Sequence, residues 1–444
     1  MGKTLLLGID VAMAENTCCP LLEDGTEARR RFTVPNNLPG AERLAREIVA
    51  LMERYGLNRL LIGLEATNLY WWHLACFLIS CPELAPFQPR VYAFNPRMVK
   101  AFKKAFTDTG KSDINDAHVV AERLRFGRLP APFMVNEVYQ PLQRLTRFRC
   151  HLMDQIIREK NYFLSFLFLK FSEYQNLDPF SNTFGAASQA VLTDYLTVDE
   201  IVAAPLEELA SLLSKESKNR FPSPEAVATA VKKAARDSYR PHPNLNEPLN
   251  LILGATLENI RTLSQQVKKV DRAIEREVRK FPNTLSSIPG LGPVFVAGIL
   301  AEIQDINRFP DHAALAKFAG LFWRTRESGS FQAEETLLGK SGNAYLRYYF
   351  IEGTNSVRMH NAEYERYYRI KYDESTKHKH KRALVLTARK LVRLVDAMLR
   401  RNQLYIPPHL NLIEEVSKQG STKARPAKQH RYRQPESHPL ALRA

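Results

Sequence analysis

Four carboxylates stand where the sequence around them could put them to chemical use. Asp10 ends the apolar run Thr4-Leu-Leu-Leu-Gly-Ile, and Glu65 ends a second, Arg59-Leu-Leu-Ile-Gly-Leu. Asp113 and Asp116 lie three apart in Lys111-Ser-Asp-Ile-Asn-Asp-Ala, at the head of a helical pattern, so both can share one helix face. Four such charges gathered in one place repel unless cations lie between them. Mg²⁺ takes oxygen ligands and keeps part of its water shell, so two ions could be held with room for phosphate oxygens. A pair of ions can orient an attacking oxygen and stabilise a leaving one. Singly, each acid has a structural reading: a strand-end turn for Asp10 and Glu65, an N-cap or first-turn dipole complement for Asp113 and Asp116. Their order along the chain favours the joint metal reading.

A serine offers a second kind of chemistry. Ser328 precedes Gly329, follows Arg324 and Arg326, and is trailed by Lys340 and Arg347. A hydroxyl among cations could attack a phosphodiester while the cations stabilise charge on the transferring phosphoryl group. Ser-Gly loops are also common, and arginines beside DNA need only hold phosphates, so spacing alone leaves both readings open. Upstream, Ser287-Ile-Pro-Gly290-Leu-Gly292-Pro has the shape of a helix-hairpin-helix. There the amides around Gly290 and Gly292, with the next helix N-terminus, would suit a backbone phosphate. An ordinary tight turn between two helices is the alternative.

These residues need elements to position them. Thr4–Asp10, Cys18–Leu22 and Arg29–Val34 read as strands, with the turn Glu23-Asp-Gly between the second and third, so the three could form an antiparallel meander. Pro39–Tyr55 has helical spacing. Then come a strand at Arg59–Glu65, a helix through Trp72–Ser80, a strand at Arg90–Phe94, a basic helix over Arg97–Phe106 and a helix over Asp113–Phe126. That order is the order of an RNase H-like α/β domain, placed at residues 1–132. Residues 133–177 hold a long helix. Residues 178–245 read as an insertion with helical stretches at Thr197–Ser214 and Ser223–Arg236. In 246–282, Leu253, Ile260, Val267 and Ile274 stand seven apart, a coiled-coil seam that an antiparallel partner helix, a second chain or both could fill. Residues 283–405 are mostly helical by pattern. Residues 406–444 form a basic tail, and from Ser417 on it is rich in Lys, Arg, Pro, Gln and His with almost no aliphatic side chain before Leu440, the composition of a solvated, disordered segment.

Composition narrows the function classes. The chain has 444 residues, 45% apolar content and a net charge of +16, enough for several modest cores and strongly suited to a polyanion. No run of about 18 uncharged apolar residues predicts a membrane span. The five cysteines are odd in number and form no CxxC pair, which argues against a disulfide framework or zinc ribbon and fits reduced thiols in a cytoplasmic protein.

Together these motifs resemble the IS-one-ten family of insertion-sequence transposases, to which the Piv and MooV DNA invertases are also similar. Gly8-Ile-Asp10, Ile62-Gly-Leu-Glu65-Ala-Thr, Asn95-Pro96 and Lys111-Ser-Asp113-Ile-Asn-Asp116 resemble the family's RuvC-like DEDD domain. Ser287-Ile-Pro-Gly290-Leu-Gly292, Phe318-Ala-Gly-Leu and Arg326-Glu-Ser328-Gly-Ser resemble its C-terminal transposase domain. The resemblance implies that Asp10, Glu65, Asp113 and Asp116 are the DEDD carboxylates and that Ser328 is the nucleophile. It implies Mg²⁺, a covalent phosphoserine link to DNA, and a noncoding bridge RNA that pairs with donor and target DNA. It also implies a tetramer in which the acids of one subunit work with the serine of another. Lys111, Arg324, Arg326, Lys340, Arg347, Gly290 and Gly292 are then expected on nucleic acid. The insertion at 178–245 and the tail depart from the compact family pattern. Two other readings compete: a RuvC-like nuclease that uses water and no serine, and a non-catalytic nucleic-acid-binding scaffold.

Overall fold

The computed structural model describes residues 4–104, 113–134, 136–324, 327–328, 331–332, 337–339 and 341–407; the side chains of 113–115, 324, 327–328, 331–332 and 337 lie outside that description. Lys111, Arg326, Lys340 and the tail beyond 407 are likewise outside the described residues. The chain divides into two compact units, Met1–Asn136 and Glu137–Ala444.

The first unit is a five-stranded mixed sheet with helices on both faces. Its strands are β1 (Thr4–Val11), β2 (Glu15–Leu21), β3 (Phe32–Pro35), β4 (Arg59–Glu65) and β5 (Arg90–Phe94), in the spatial order β3-β2-β1-β4-β5. The meander expected for β1 to β3 is present, since both of its pairings are antiparallel. β4 and β5 add in parallel, after the helices α1 (Leu38–Arg54) and α2 (Trp71–Ser80). The helices α3 (Pro96–Lys103) and α4 (Asp113–Arg125) follow.

Strand alternation sorts the core into two layers. Leu5, Leu7 and Ile9 face the layer built with α1 and α2. Leu6 and Leu61 face the layer built with α4, through Ala117, Val120, Ala121 and Leu124. Gly8 and Gly63 are register partners on this second face. A Cβ on Gly8 would lie 2.2 Å from the Ala117 carbonyl oxygen and 2.4 Å from the Ala121 amide nitrogen. The helix therefore lies directly on the backbone of β1, and only glycine allows that approach. Gly8→Ala is expected to lift α4 from the sheet and cost this unit about 1–3 kcal/mol, the usual range for overpacking. Urea denaturation would check it; an unchanged midpoint would refute the close-packing account.

Among the described residues, the second unit is helical apart from two small two-stranded ladders. α5 (Gln140–Lys170) leads to five short helices, α6 (Tyr174–Leu177), α7 (Ala186–Asp194), α8 (Val198–Ala203), α9 (Leu206–Ser217) and α10 (Pro224–Asp237), and then to α11 (Asn246–Val278). The stretch Thr197–Ser214, read as helical, is two helices, because Pro205 interrupts the backbone ladder between them. The α11 seam is filled within the chain. Arg149 pairs with Asp271 at 2.6 Å and Asn259 reaches Glu159 at 3.5 Å, so α5 and α11 run antiparallel. Val267 packs with Leu152 and Ile156. The inserted helices close a separate core over one end of this hairpin, around Phe163, Leu167, Leu253 and Leu257.

After α11 come α12 (Pro293–Ile303) and α13 (His312–Ala319), then the strands β6 (Trp323–Arg324), β7 (Glu327–Ser328), β8 (Phe331–Gln332) and β9 (Leu337–Leu338). The unit ends with α14 (Ala344–His360), α15 (Ala362–Asp373) and α16 (Lys379–Arg401). Among the described residues, no helix is long and apolar enough to cross a membrane.

Candidate functional site

The acids gather at one end of the first sheet because of register. β1 and β4 are parallel and pair Gly8 with Gly63 and Ile9 with Leu64, so the next step sets Asp10 beside Glu65. Period-two alternation puts Asp10 on the face of Gly8 and Glu65 on the face of Gly63, the face that α4 covers. Asp116 directly precedes Ala117, the residue whose carbonyl lies over Gly8. The glycine floor thus fixes where the helix start sits, and with it Asp116. Asp113 opens the same helix one turn earlier; its side chain is outside the description.

Electrostatics agree with this placement. Burial and the nearby charge of Asp116 hold the Glu65 carboxyl above its ordinary value, although the Thr67 hydroxyl, which donates to it at 3.1 Å, and Lys103 pull the other way. Lys103, at the end of α3, ion-pairs with Asp116. A cation therefore already stands against the cluster, and its donors are carboxylate oxygens, which suit a hard ion such as Mg²⁺. Composition marked α3 as basic, but only the fold shows that Lys103 faces an acid.

The raised Glu65 value gives a stability prediction in chelator-treated protein. A carboxyl whose folded value exceeds its unfolded one favours the folded state when protonated. Stability then falls as pH rises from the ordinary glutamate value, 4.5, through the raised one. Glu65→Gln should melt higher than wild type at pH 7, and the difference should vanish at low pH. An equal gain across the whole pH range would reject the electrostatic cause.

In the second unit, Ser328 ends β7 and stands across from Phe331 on β8. The outer pair, β6 with β9, encloses this inner pair in sequence. The helical pattern read over 283–405 thus omits the strands that carry the serine; each is two residues long, too short for a periodic signal. Arg324 lies on β6, and its side chain, like that of Ser328, is outside the description. Arg347, on α14, is half-buried and donates to the Ala319 carbonyl at 3.3 Å.

The base of this strand segment is tied to the helical core. Gly342, at φ +127°, and Asn343, whose amide donates to the Phe318 carbonyl at 2.6 Å, lock the return strand against α13. The Asn343 side chain also caps α14, accepting from Leu346 at 3.0 Å, and donates to Glu302 at 2.6 Å. Glu302, buried on α12, accepts two bonds from Arg147 of α5, at 2.7 and 2.8 Å. Sequence reading missed Glu302 and Arg147. The available signal was one glutamate inside the otherwise apolar Val296–Ile303.

Gly290, at φ +85°, makes the turn before α12, and Gly292 is the N-cap of that helix. The arm before the turn is a single 3-10 turn, Leu285–Ser287. The glycines line an open cleft of about 360 Å³ with Ser286, Phe295, Ser356 and His360. Trp71 and Trp72 pack edge-on against Phe133, at 5.0 and 5.1 Å, so their rings serve the fold of the first unit.

Comparison with known proteins supplies the family. A family model described as a transposase matches residues 7–171, and one described as the transposase IS116/IS110/IS902 family matches residues 283–369. The chain is 26% identical to an uncharacterised protein of insertion element IS116 from Streptomyces clavuligerus, over 70% of this chain and 76% of that protein. It is 23% identical to the pilin gene-inverting protein of Moraxella bovis, over 91% of this chain and 98% of that one. A shorter stretch is 32% identical to the transposase for insertion sequence element IS1111A of Coxiella burnetii, covering 27% of this chain and 32% of that one. The two matched regions span more than half of the sequence and contain the acids and the serine, and the chain belongs to the IS110 family of insertion-sequence transposases.

Proposed function

We propose that this chain cuts and rejoins donor and target DNA through a covalent bond between Ser328 and a DNA end. Asp10, Glu65, Asp113 and Asp116 hold two Mg²⁺ ions, a noncoding bridge RNA selects both DNAs, and the working assembly is a tetramer. The observation that carries this reading is the strand register that sets Asp10 beside Glu65 beneath the start of α4, where Asp116 lies. The sheet order, with an antiparallel meander continued by two parallel strands, supports an RNase H-like domain of the RuvC kind.

In this reading the Ser328 Oγ attacks the scissile phosphorus. The Oγ–P bond forms, the P–O3′ bond breaks, and the serine proton leaves to the oxygen that departs. A 3′ hydroxyl attacking the phosphoserine reverses the step and frees the serine, so rejoining needs no ATP. When bound, Mg²⁺ supplies activation of the attacking oxygen and charge stabilisation at the leaving one. Lys111, Arg324, Arg326, Lys340 and Arg347 hold backbone phosphates, and the amides at Gly290 and Gly292 offer a further phosphate contact.

The test is a denaturing gel for a protein–DNA adduct. Purified protein, Mg²⁺, RNA transcribed from the flanking DNA and labelled donor and target duplexes would be combined, with Ser328→Ala beside wild type. A slow, protease-sensitive band is expected from wild type and none from the variant. Cleavage without an adduct, equal in both, would refute the serine step and favour a hydrolytic nuclease.

A further inference from the structure

We propose that Cys19, Glu27 and His118 form a second metal site in the first unit, suited to Zn²⁺ or a similar borderline-soft divalent ion and separate from the carboxylate cluster. One ligand atom from each lies within 4.8 Å of the others. The three come from different segments: β2, the connection between β2 and β3, and α4. Cys19 is buried on the sheet face that α4 covers, His118 is half-buried on α4, and Glu27 is exposed.

The Cys19–His118 spacing fits an ion. The Cys19 Sγ stands 3.7 Å from the His118 Nδ1. Zinc bonds of about 2.3 Å to sulfur and about 2.0 Å to nitrogen, at a tetrahedral angle, place those two atoms about 3.6 Å apart. Glu27 has its own support. The Arg31 Nε donates to the Glu27 Oε1 at 2.9 Å, and the Arg31 ion pair falls on the same oxygen. Metal-ligating carboxylates are commonly oriented in this way. A bridge between Leu21 and Glu27 holds the connection close to β2.

The donor set differs in kind from the acids. Thiolate and imidazole select zinc-like ions, whereas carboxylates alone suit Mg²⁺. Three protein ligands leave one position for water, and the Arg31 guanidinium, which bonds Cys19 as well as Glu27, must give up Cys19 when an ion enters. On binding, Cys19 loses its thiol proton to solvent and a sulfur–metal bond forms. His118 lies two residues after Asp116, so a bound ion would fasten to β2 the helix that carries the acid pair.

Co²⁺ titration of the chelator-treated full chain tests this. One equivalent is expected to give a thiolate-to-cobalt charge-transfer band in the near ultraviolet, with the intense visible bands of a tetrahedral ion. Zn²⁺ should abolish both. Asp10→Asn and Cys150→Ser should retain them. Cys19→Ser should lose the charge-transfer band, and Glu27→Gln should weaken Co²⁺ binding by about tenfold or more. A weak octahedral spectrum without charge transfer in wild type would overturn the proposal, as would a band that survives Cys19→Ser. No DNA enters the assay, so its failure would leave the serine reading untouched.

Discussion

Asp116→Asn and Asp10→Asn are each expected to lower strand transfer about a hundredfold to a thousandfold, while the protein melts within a few degrees of wild type. The activity loss follows from charge. Asparagine keeps the shape and one oxygen of aspartate but cannot neutralise a divalent ion, and removing one preorganised electrostatic group typically costs two to three orders of magnitude. The stability term is small because two effects oppose. Asp116 loses its pair with Lys103, but both side chains are partly exposed, and such pairs contribute at most about 1 kcal/mol. In return Glu65 loses a repulsive neighbour. Single-turnover strand transfer and a melting curve on the same preparation would check both halves. Full activity in either variant would reduce that acid to a structural part and remove the main support for a metal-dependent reaction.

Glu302→Ala is expected to cost about 3 kcal/mol and to depress adduct formation as well. The glutamate is buried and is the shared acceptor for Arg147 and Asn343, with the Gln143 amide at 3.5 Å. Breaking a buried pair strands the remaining charge; the expected cost lies at the low end of the range because Arg147 keeps some access to water. The functional effect follows from Asn343, which joins the strand segment bearing Ser328 to α14 and, through Glu302, to α12 and α5. Glu302→Gln keeps an acceptor of the same shape and should restore much of both properties. Chemical denaturation and the adduct assay, run well below the melting point, would separate the two effects. A destabilised variant with undiminished adduct formation would show that the network supports the core alone.

The elements of the first unit were legible in the sequence, because each has a local cause. Short apolar runs that each end in an acid made the strands β1 and β4, and helical spacing made α1. The heptads of α11 were equally plain, but their partner was not, since an intramolecular and an intermolecular seam have the same pattern. Contacts between distant residues settled it in favour of α5. The strands around Ser328 carried no signal, because two-residue ladders have no period and are held by the helices around them. At the acids the sequence by itself determined the residue types, their order and the Gly-x-acid spacing in both strands. Only the tertiary structure decided that Gly8 and Gly63 lie side by side, that α4 rests on them, and that Lys103 reaches Asp116. Register and helix docking are set by close packing between segments some fifty to a hundred residues apart, and no local pattern encodes that.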